Sequence, residues 1–239
     1  MSIVLVLGSG PNVLTARDWP RDAFDTIVAI NNAWAVRPDW DLLIHPDDFP
    51  RDRWPTEQSP VQKVVRAEEY VPRQNHFGGF VYAGGTMAFT AGYWALSALR
   101  PKVVAMIGCD MVYPKTRATH FYGTGAADPL REDITLRSLE AKSARMMILG
   151  AMAGCAFVNL SKDPSRLVLP RADPDGLDTV APQKFDPDLA ARALTEEDRL
   201  GYRVPSGKYW QEEHRFDPVA IDALDALWLR AARPVGTTA

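Results

Sequence analysis

Six short runs rich in branched apolar residues, spread over the first two thirds of the chain, constrain this sequence most. They are Ile3–Leu7, Thr26–Ile30, Leu42–His45, Lys63–Arg66, Val103–Ile107 and Ala156–Leu160. Most are apolar at successive positions and bounded by turn residues, which suits strands buried on both faces. Strands of that kind pair in parallel, and parallel neighbours need long crossover connections. Helical patterns fill several of the gaps: Val13–Trp19, Thr86–Leu99 and Glu132–Ala153. The last is apolar nearly all round in its C-terminal half, and Gly154 stands where a helix stop is expected. The expectation is an α/β chain: a Rossmann-like, doubly wound, mostly parallel sheet with helices on both faces and a C-terminal helical extension.

The character of the chain changes near residue 161. Residues 1–161 hold the strand–helix alternation and read as the nucleotide-binding, catalytic domain. Residues 162–239 read as a wrapping segment and helical extension, not an independent domain. Leu167–Lys184 carries many Pro and Asp without helical or strand period, as a linker or strap would. Asp186-Pro187 and Asp217-Pro218 each announce a helix, because Asp caps free N–H groups and Pro has none to satisfy in a first turn. Ile221, Leu224 and Trp228 then give the last helix one apolar face. Between these two helices, Arg203–Trp210 is basic and aromatic, either a plain surface loop or a lid over a site.

Composition narrows the function classes. With 239 residues and a net charge of −3, the chain lacks the excess of Lys and Arg that a dedicated nucleic-acid binder needs. Its apolar stretches stop well short of the ~20 residues of a membrane span. The first run passes straight into Gly8 and has no basic leader, so it reads as a strand and not as a signal peptide. Cys109 and Cys155 sit among apolar residues and read as buried, reduced thiols. A soluble, cytoplasmic protein is expected.

Open α/β sheets bind ligands beyond the carboxyl ends of their strands, so the residues that follow each strand matter most. Gly8-Ser9-Gly10-Pro11-Asn12 follows the first. It is either a tight turn or a place where backbone and helix start meet an anion. Dinucleotide binding would want a third glycine at Val13 and an acid where Asn31 and Asn32 stand, and no Gly-x-x-x-x-Gly-Lys-Ser/Thr occurs. NAD and P-loop chemistry are therefore disfavoured. Asn31 and Asn32 form an Asn-rich turn or a ribose- and base-reading pair. After the third strand come His45, Asp47 and Asp48, whose carboxylates suit a cation. Asp39 and Asp41 have an Asp-x-Asp spacing but precede that strand, at the wrong end for a site, and no metal site is assigned. Gly84-Gly85-Thr86 opens a helix with Thr86 as cap. The loop from Gly108 to Gly125 is longer than a connection needs and holds Asp110, Tyr113, Lys115, Arg117, His120 and Tyr122. His120 is either a surface histidine or a base that takes a hydroxyl proton, with phenols and cations beside a departing phosphate.

Five segments occur in a telling order: Ile3–Asn12 (IVLVLGSGPN), Ile30–Trp34 (INNAW), the Gly-Gly-Thr helix start, Ile107–Asp110 with Tyr113, and Thr119–Gly123 (THFYG). Together they resemble bacterial CMP-sialic-acid-dependent sialyltransferases, and they are similar to motility-accessory flagellin glycosyltransferases and archaeal 6-hydroxymethylpterin diphosphokinases. The resemblance spans roughly Ile3 to Leu160. It implies a Rossmann-like domain with a lid and an inverting, metal-independent transfer of sialic acid or a related nonulosonate from a CMP-linked donor. It also implies that Ser9 and Gly10 lie along the phosphate and Asn31 holds the nucleotide. His45 falls where the family has an Asn, and Thr86 lies near its nucleotide-contacting Ser/Thr-Gly turn. His120 matches the general base, and Tyr113 falls one residue from a phosphate-bonding tyrosine. A second such tyrosine has no counterpart, for which Lys115 or Arg117 would substitute, and the family's arginine before the Ser/Thr-Gly turn is missing.

The expected catalytic set is thus His120, Tyr113 and Lys115. Gly8, Ser9, Gly10, Pro11, Asn12, Asn31, Asn32, His45, Gly85, Thr86 and Asp110 are expected around the nucleotide. No tightly bound cofactor is implied; the partners are the nucleotide sugar and a glycan or other hydroxyl acceptor, with homo-oligomerisation left open. Two alternatives remain. One is a pterin-type diphosphokinase using ATP and Mg²⁺, leaning on Asp110, Asp47 or Asp48. The other is a nucleotide-binding protein without catalysis.

Overall fold

The structure, a computed structural model, describes residues 2–113, 118–123 and 131–233. Six strands form one all-parallel sheet: β1 (Ile3–Leu7), β2 (Thr26–Ile30), β3 (Leu42–Ile44), β4 (Lys63–Val65), β5 (Val103–Ile107) and β6 (Ala156–Asn159). Their order is β4-β3-β2-β1-β5-β6. The chain winds outward from β1 to β4, then returns to place β5 against the other side of β1. Leu7 aligns with Ala29 of β2 and with Ile107 of β5, so the carboxyl ends of the central strands finish level. The reversal between β1 and β5 is the switch point at which an open parallel sheet leaves a crevice.

Alternate side chains go to opposite faces. Val4, Val6, Val28, Ile30, Val104 and Met106 share one core with Phe89, Tyr93 and Trp94 of α3 (Met87–Leu99) and Met146 and Met147 of α4 (Leu139–Met152). Leu5, Leu7, Ile27, Ala29, Ala105 and Ile107 face the other core. That second face is covered by 3-10 segments at Pro11–Asp18 and Asn31–Val36 together with Leu177 of the strap.

Helices expected at Val13–Trp19 and Glu132–Ala153 take different forms. In Pro11–Asp18 the buried residues are Val13 and Ala16, three apart, a spacing that matches three residues per turn. The Thr15 hydroxyl also bonds the Asn12 carbonyl, a local competitor of α-helical pairing. α4 starts only at Leu139, because the Ser138 hydroxyl accepts the Ala141 N–H there and Asp133 caps a separate turn at Ile134–Leu136. Two helices were not anticipated, α1 (Ala67–His76) and α2 (Phe80–Ala83). α1 buries only Tyr70 and Gln74 and contains Pro72, so no apolar period announces it.

Beyond β6, Leu167 and Leu169 join the first core and Leu177 the second, with Asn159 bridged to Arg171. The strap thus passes from one face of the sheet to the other around its β6 edge. α5 (Pro187–Leu200) and α6 (Pro218–Ala231) begin at the two Asp-Pro pairs, with Asp186 accepting the Asp188 and Leu189 N–H groups and Asp217 that of Val219. Ile221, Leu224 and Trp228 form the buried face of α6 and pack with Val81, Tyr82 and Ile148 in a third core. Two buried ion pairs cross this junction, Lys142–Asp225 at 2.8 Å and Arg145–Glu197 at 2.7 Å. Among the described residues, no helix is long and apolar enough to cross a membrane.

Candidate functional site

The crevice at the switch point is a cavity of about 390 Å³, within the usual range for small-ligand sites. Five chain segments build it: the turn after β1, the end of β2, the start of α3, the loop after β5 and Asp163-Pro164 after β6.

The glycines of the first turn answer to packing. A Cβ on Gly8 would lie 2.3 Å from the Gly108 carbonyl oxygen, and one on Gly10 would lie 2.9 Å from it. The Gly8 N–H already donates to Ile107 O, and that of Gly10 to Gly108 O, both at 2.8 Å. These two amides are therefore occupied in stitching β1 to β5, and the glycines let the two strand ends meet at the cavity floor.

Donors for an anion come instead from α3. Thr86 caps it, its hydroxyl accepting the Phe89 N–H at 3.3 Å, and Thr86, Met87 and Ala88 all line the cavity. The first turn of a 13-residue helix thus faces the crevice with its unpaired N–H groups and partial positive charge.

The opposite corner is rich in acceptors. Asn12 Nδ2 donates to Asp110 Oδ2 at 2.6 Å, Ser161 Oγ at 2.8 Å and Asp163 Oδ2 at 2.9 Å. Asn159 Nδ2 donates to the other Asp110 oxygen at 3.0 Å. Asp110 and Asp163 are the acids of the described lining, which contains no Lys or Arg. Arg171 stands behind them, 4.0 Å from Asp110 and bonded to the Ser161 and Asp163 carbonyls. Among the described residues no group of three or more metal-ligating side chains occurs.

His120 occupies the cavity wall in a tight turn, with reciprocal backbone bonds to Gly123 at 3.0 and 3.1 Å. The next residue ties that turn to the glycine turn: Phe121 N–H donates to Ser9 O at 3.0 Å. Thr119 Oγ1 lies 2.9 Å from His120 Nδ1. The Tyr122 ring stacks on the imidazole at 5.1 Å between centroids, and Tyr113 approaches it at 6.0 Å.

Local backbone strain gathers here too. Asn31, Arg100 and Met111 are the non-glycine residues with positive φ among those described, and Asn31 (52°) and Met111 (55°) both line the cavity. Asn31 Oδ1 is buried without a hydrogen-bond partner among the described residues.

Of the expected residues, the wall brings together Gly8, Ser9, Gly10, Pro11, Asn12, Asn31, Thr86, Asp110, Tyr113 and His120. Asn32, His45 and Gly85 are not part of it. His45 is buried between Phe49 and Trp54, its Nδ1 2.8 Å from Pro46 O. Gly85 is pressed against the Thr135 hydroxyl and the Tyr209 phenol, either of which a Cβ would crowd. Lys115 and Arg117 lie outside the described residues. Arg203–Trp210 does not line the cavity; Tyr209 packs behind the Gly85 turn and donates to Asp133 at 2.8 Å. Asp39 and Asp41 pair with Arg37 and Arg21 as structural ion pairs. Cys109 and Cys155 are buried free thiols, and burial pushes Cys155 up to about 12 and Cys109 higher still. Asp163 was missed, although the rule that led to the other segments, looking just past each strand, applies equally to Ser161–Asp163 after β6.

In comparison with known proteins, no family model, curated protein or solved structure matches the chain.

Proposed function

We propose that the protein is a transferase that takes a nucleotide-activated sugar, best assigned to a CMP-linked sialic acid or related nonulosonate, and passes the sugar to an acceptor hydroxyl. One observation carries the reading: the Phe121–Ser9 hydrogen bond joins the His120 turn to the glycine turn, so a base and a nucleotide-sized crevice share one cavity. The CMP donor and the sugar rest on the motif resemblance.

In this mechanism the leaving phosphate lies toward the first turn of α3, whose N–H groups receive its charge. The acceptor-rich corner at Asn12 and Asp110 suits the hydroxyls of a ribose or sugar, which donate hydrogen bonds, and would repel a bare phosphate. His120 takes the acceptor proton on Nε2 while Thr119 holds Nδ1. The acceptor oxygen attacks the anomeric carbon from the face opposite the nucleotide, the bond to the phosphate oxygen breaks, and CMP leaves with the electron pair. The resemblance assigns Tyr113, which lines the same cavity, to the departing group. The acceptor is a hydroxyl compound, a glycan in the first instance.

The test has two arms. A thermal-shift screen of CMP, CDP, UDP, GDP, ATP and NAD, each with and without Mg²⁺, reads the nucleotide; a ligand at 100 times its Kd adds about 2.7 kcal/mol. CMP is expected to stabilise without Mg²⁺. His120→Ala is expected to lower turnover ~10²–10⁴-fold while leaving CMP affinity intact. Full turnover in that variant removes the base, and no stabilisation by any nucleotide removes the whole reading.

The paired carboxylates of Asp110 and Asp163 on the cavity wall favour a second reading, diphosphate transfer from ATP to a heterocycle with bridging Mg²⁺. Stabilisation by ATP that requires Mg²⁺, and activity abolished by EDTA, would select it.

A further inference from the structure

We propose that Tyr122 is a positioning residue for His120: its ring, stacked on the imidazole with Tyr113 nearby, acts as a clamp that stabilises the imidazolium that proton abstraction creates. The role of His120 as base rests on the transferase reading, whereas the clamp itself does not.

The turn is built to present these two rings together. The His120–Gly123 bridge closes it, and Gly123 has a φ of 133°, a value that L side chains rarely adopt. Within it Phe121 packs against the second core of the sheet, so it anchors the turn. Tyr122, in contrast, stands outside the cores. Its residue is 47% exposed, it lines the cavity mouth and the buried cores do not include it, yet its ring lies on the imidazole with an interplanar angle of 24°. Its ring also meets the Phe121 ring edge-on, 5.0 Å between centroids, so one ring contact anchors Tyr122 to the turn and the other lays it on the imidazole.

The physics of the contact is specific. The face of a tyrosine ring carries negative charge density and attracts a cation within ~6 Å of its centroid. Tyr122 meets that criterion at 5.1 Å and Tyr113 reaches it at 6.0 Å. Attraction grows only when the imidazole becomes charged, so the clamp favours the protonated product of base catalysis over the neutral reactant. It also restrains rotation of the ring while Thr119 meets its Nδ1 edge.

Other groups act on the same imidazole and must be held constant. Thr119 and Tyr113, both from the loop after β5, contact the ring. Asp110 at the end of β5 and Asp163 beyond β6 share the cavity, as does the buried Cys109 thiol. The carboxylates favour the imidazolium whether or not the clamp exists, so the test changes the ring alone.

The experiment is an NMR titration of the imidazole Cε1–H signals of the intact chain. Its four histidines are His45, His76, His120 and His214, and the His120 signal is assigned by its loss in His120→Asn. In Tyr122→Leu the titration midpoint of His120 is expected to fall by about half a unit, and in Tyr122→Phe to stay put, the other histidines being unmoved in both. Equal midpoints in wild type and Tyr122→Leu overturn the clamp. Should Tyr122→Leu fail to fold, the wild-type spectrum decides instead: cross-relaxation between His120 and Tyr122 ring protons is expected, and its absence overturns the proposal. In the transfer reaction the acidic limb of the kcat/KM profile is expected to move with the midpoint. A shifted midpoint without any sugar transfer would retire the transferase reading and leave the clamp standing.

Discussion

Removing the carboxylate of Glu197 probes how the C-terminal helices are held. Arg145 on α4 is 1% exposed and has no water to fall back on. Its Nε and Nη2 donate to the two Glu197 oxygens at 2.7 Å each, Nη1 to the Tyr93 phenol at 2.8 Å and Nη2 to Phe77 O at 2.6 Å. Glu197 on α5 further accepts the Trp228 indole N–H of α6 at 2.9 Å. One carboxylate on α5 therefore closes three charge-assisted bonds, two from α4 and one from α6. Glu197→Leu leaves a buried guanidinium without its counter-ion and strands the indole donor. Breaking one partner of such a pair costs about 3–5 kcal/mol. At roughly 2–4 °C of Tm per kcal/mol for a chain of this size, the expected fall is roughly 6–20 °C by scanning calorimetry. The double variant Arg145→Met, Glu197→Leu removes both charges and is expected to regain most of that loss, because a buried ion pair is often replaced by apolar groups at little net cost. A single Glu197→Leu variant within about 1 kcal/mol of wild type, or a double variant worse than the single, would refute the reasoning.

The strand ends at the cavity floor make a sharper steric prediction. Gly8→Ala must push β1 and β5 apart against a backbone oxygen and is expected to cost about 1–3 kcal/mol and to abolish nucleotide stabilisation, whereas Gly176→Ala, with open space around it, is expected to be neutral in urea unfolding. Acid sensitivity follows from three carboxyls. The Arg37 guanidinium holds Asp39 below its ordinary 3.8, and Arg166 holds Glu140 below 4.5. Burial pushes Asp133 up, but bonds from Thr135, Tyr209 and Arg131 outweigh it and leave that group low as well. Each binds its proton less readily folded than unfolded, so their contribution is present above the unfolded values and is lost as pH falls through the folded ones. Asp225, raised by burial, has the opposite sign: its contribution is present at low pH and is lost as pH rises through its folded value. Urea midpoints are expected to drop between about pH 6 and about pH 3.5, and Glu140→Gln to shrink that drop; equal midpoints would refute the assignment.

How much of this was readable beforehand depends on which force shapes each segment. The strands were legible to within a residue because burial on both faces demands uninterrupted apolar runs, and both C-terminal helices were legible because Asp-Pro writes their starts into the chain. α1 was not, since it docks by Tyr70 and carries Pro72 and charge elsewhere. The 3-10 character of Pro11–Asp18 was hidden because two buried residues three apart satisfy a short α-helix as well.

The site followed a similar rule with a limit. Looking past each strand end locates the rim of the sheet but not the direction of a side chain or its distance from the switch point. His45 follows β3, two strands from β1 and so about 10 Å from it at the usual strand spacing, and its ring lies between Phe49 and Trp54. Asn31 takes a left-handed backbone turn that keeps it on the wall, while the chain after it dives into the second core through Ala33 and Val36 and takes Asn32 out of the cavity. The glycines of the first turn were legible as glycines, but not for their reason: Gly8 and Gly10 exist to admit Gly108, a contact 100 residues distant in sequence that only the strand order creates. That order is also what gives α3 its task. Because β5 lies beside β1, the helix leading into β5 begins at the crevice, and its first turn, Thr86–Ala88, lines the same cavity as the glycine turn after β1. Exchanging Thr86 for Val, which withdraws the cap without filling the crevice, therefore bears on anion binding more directly than any change at Ser9.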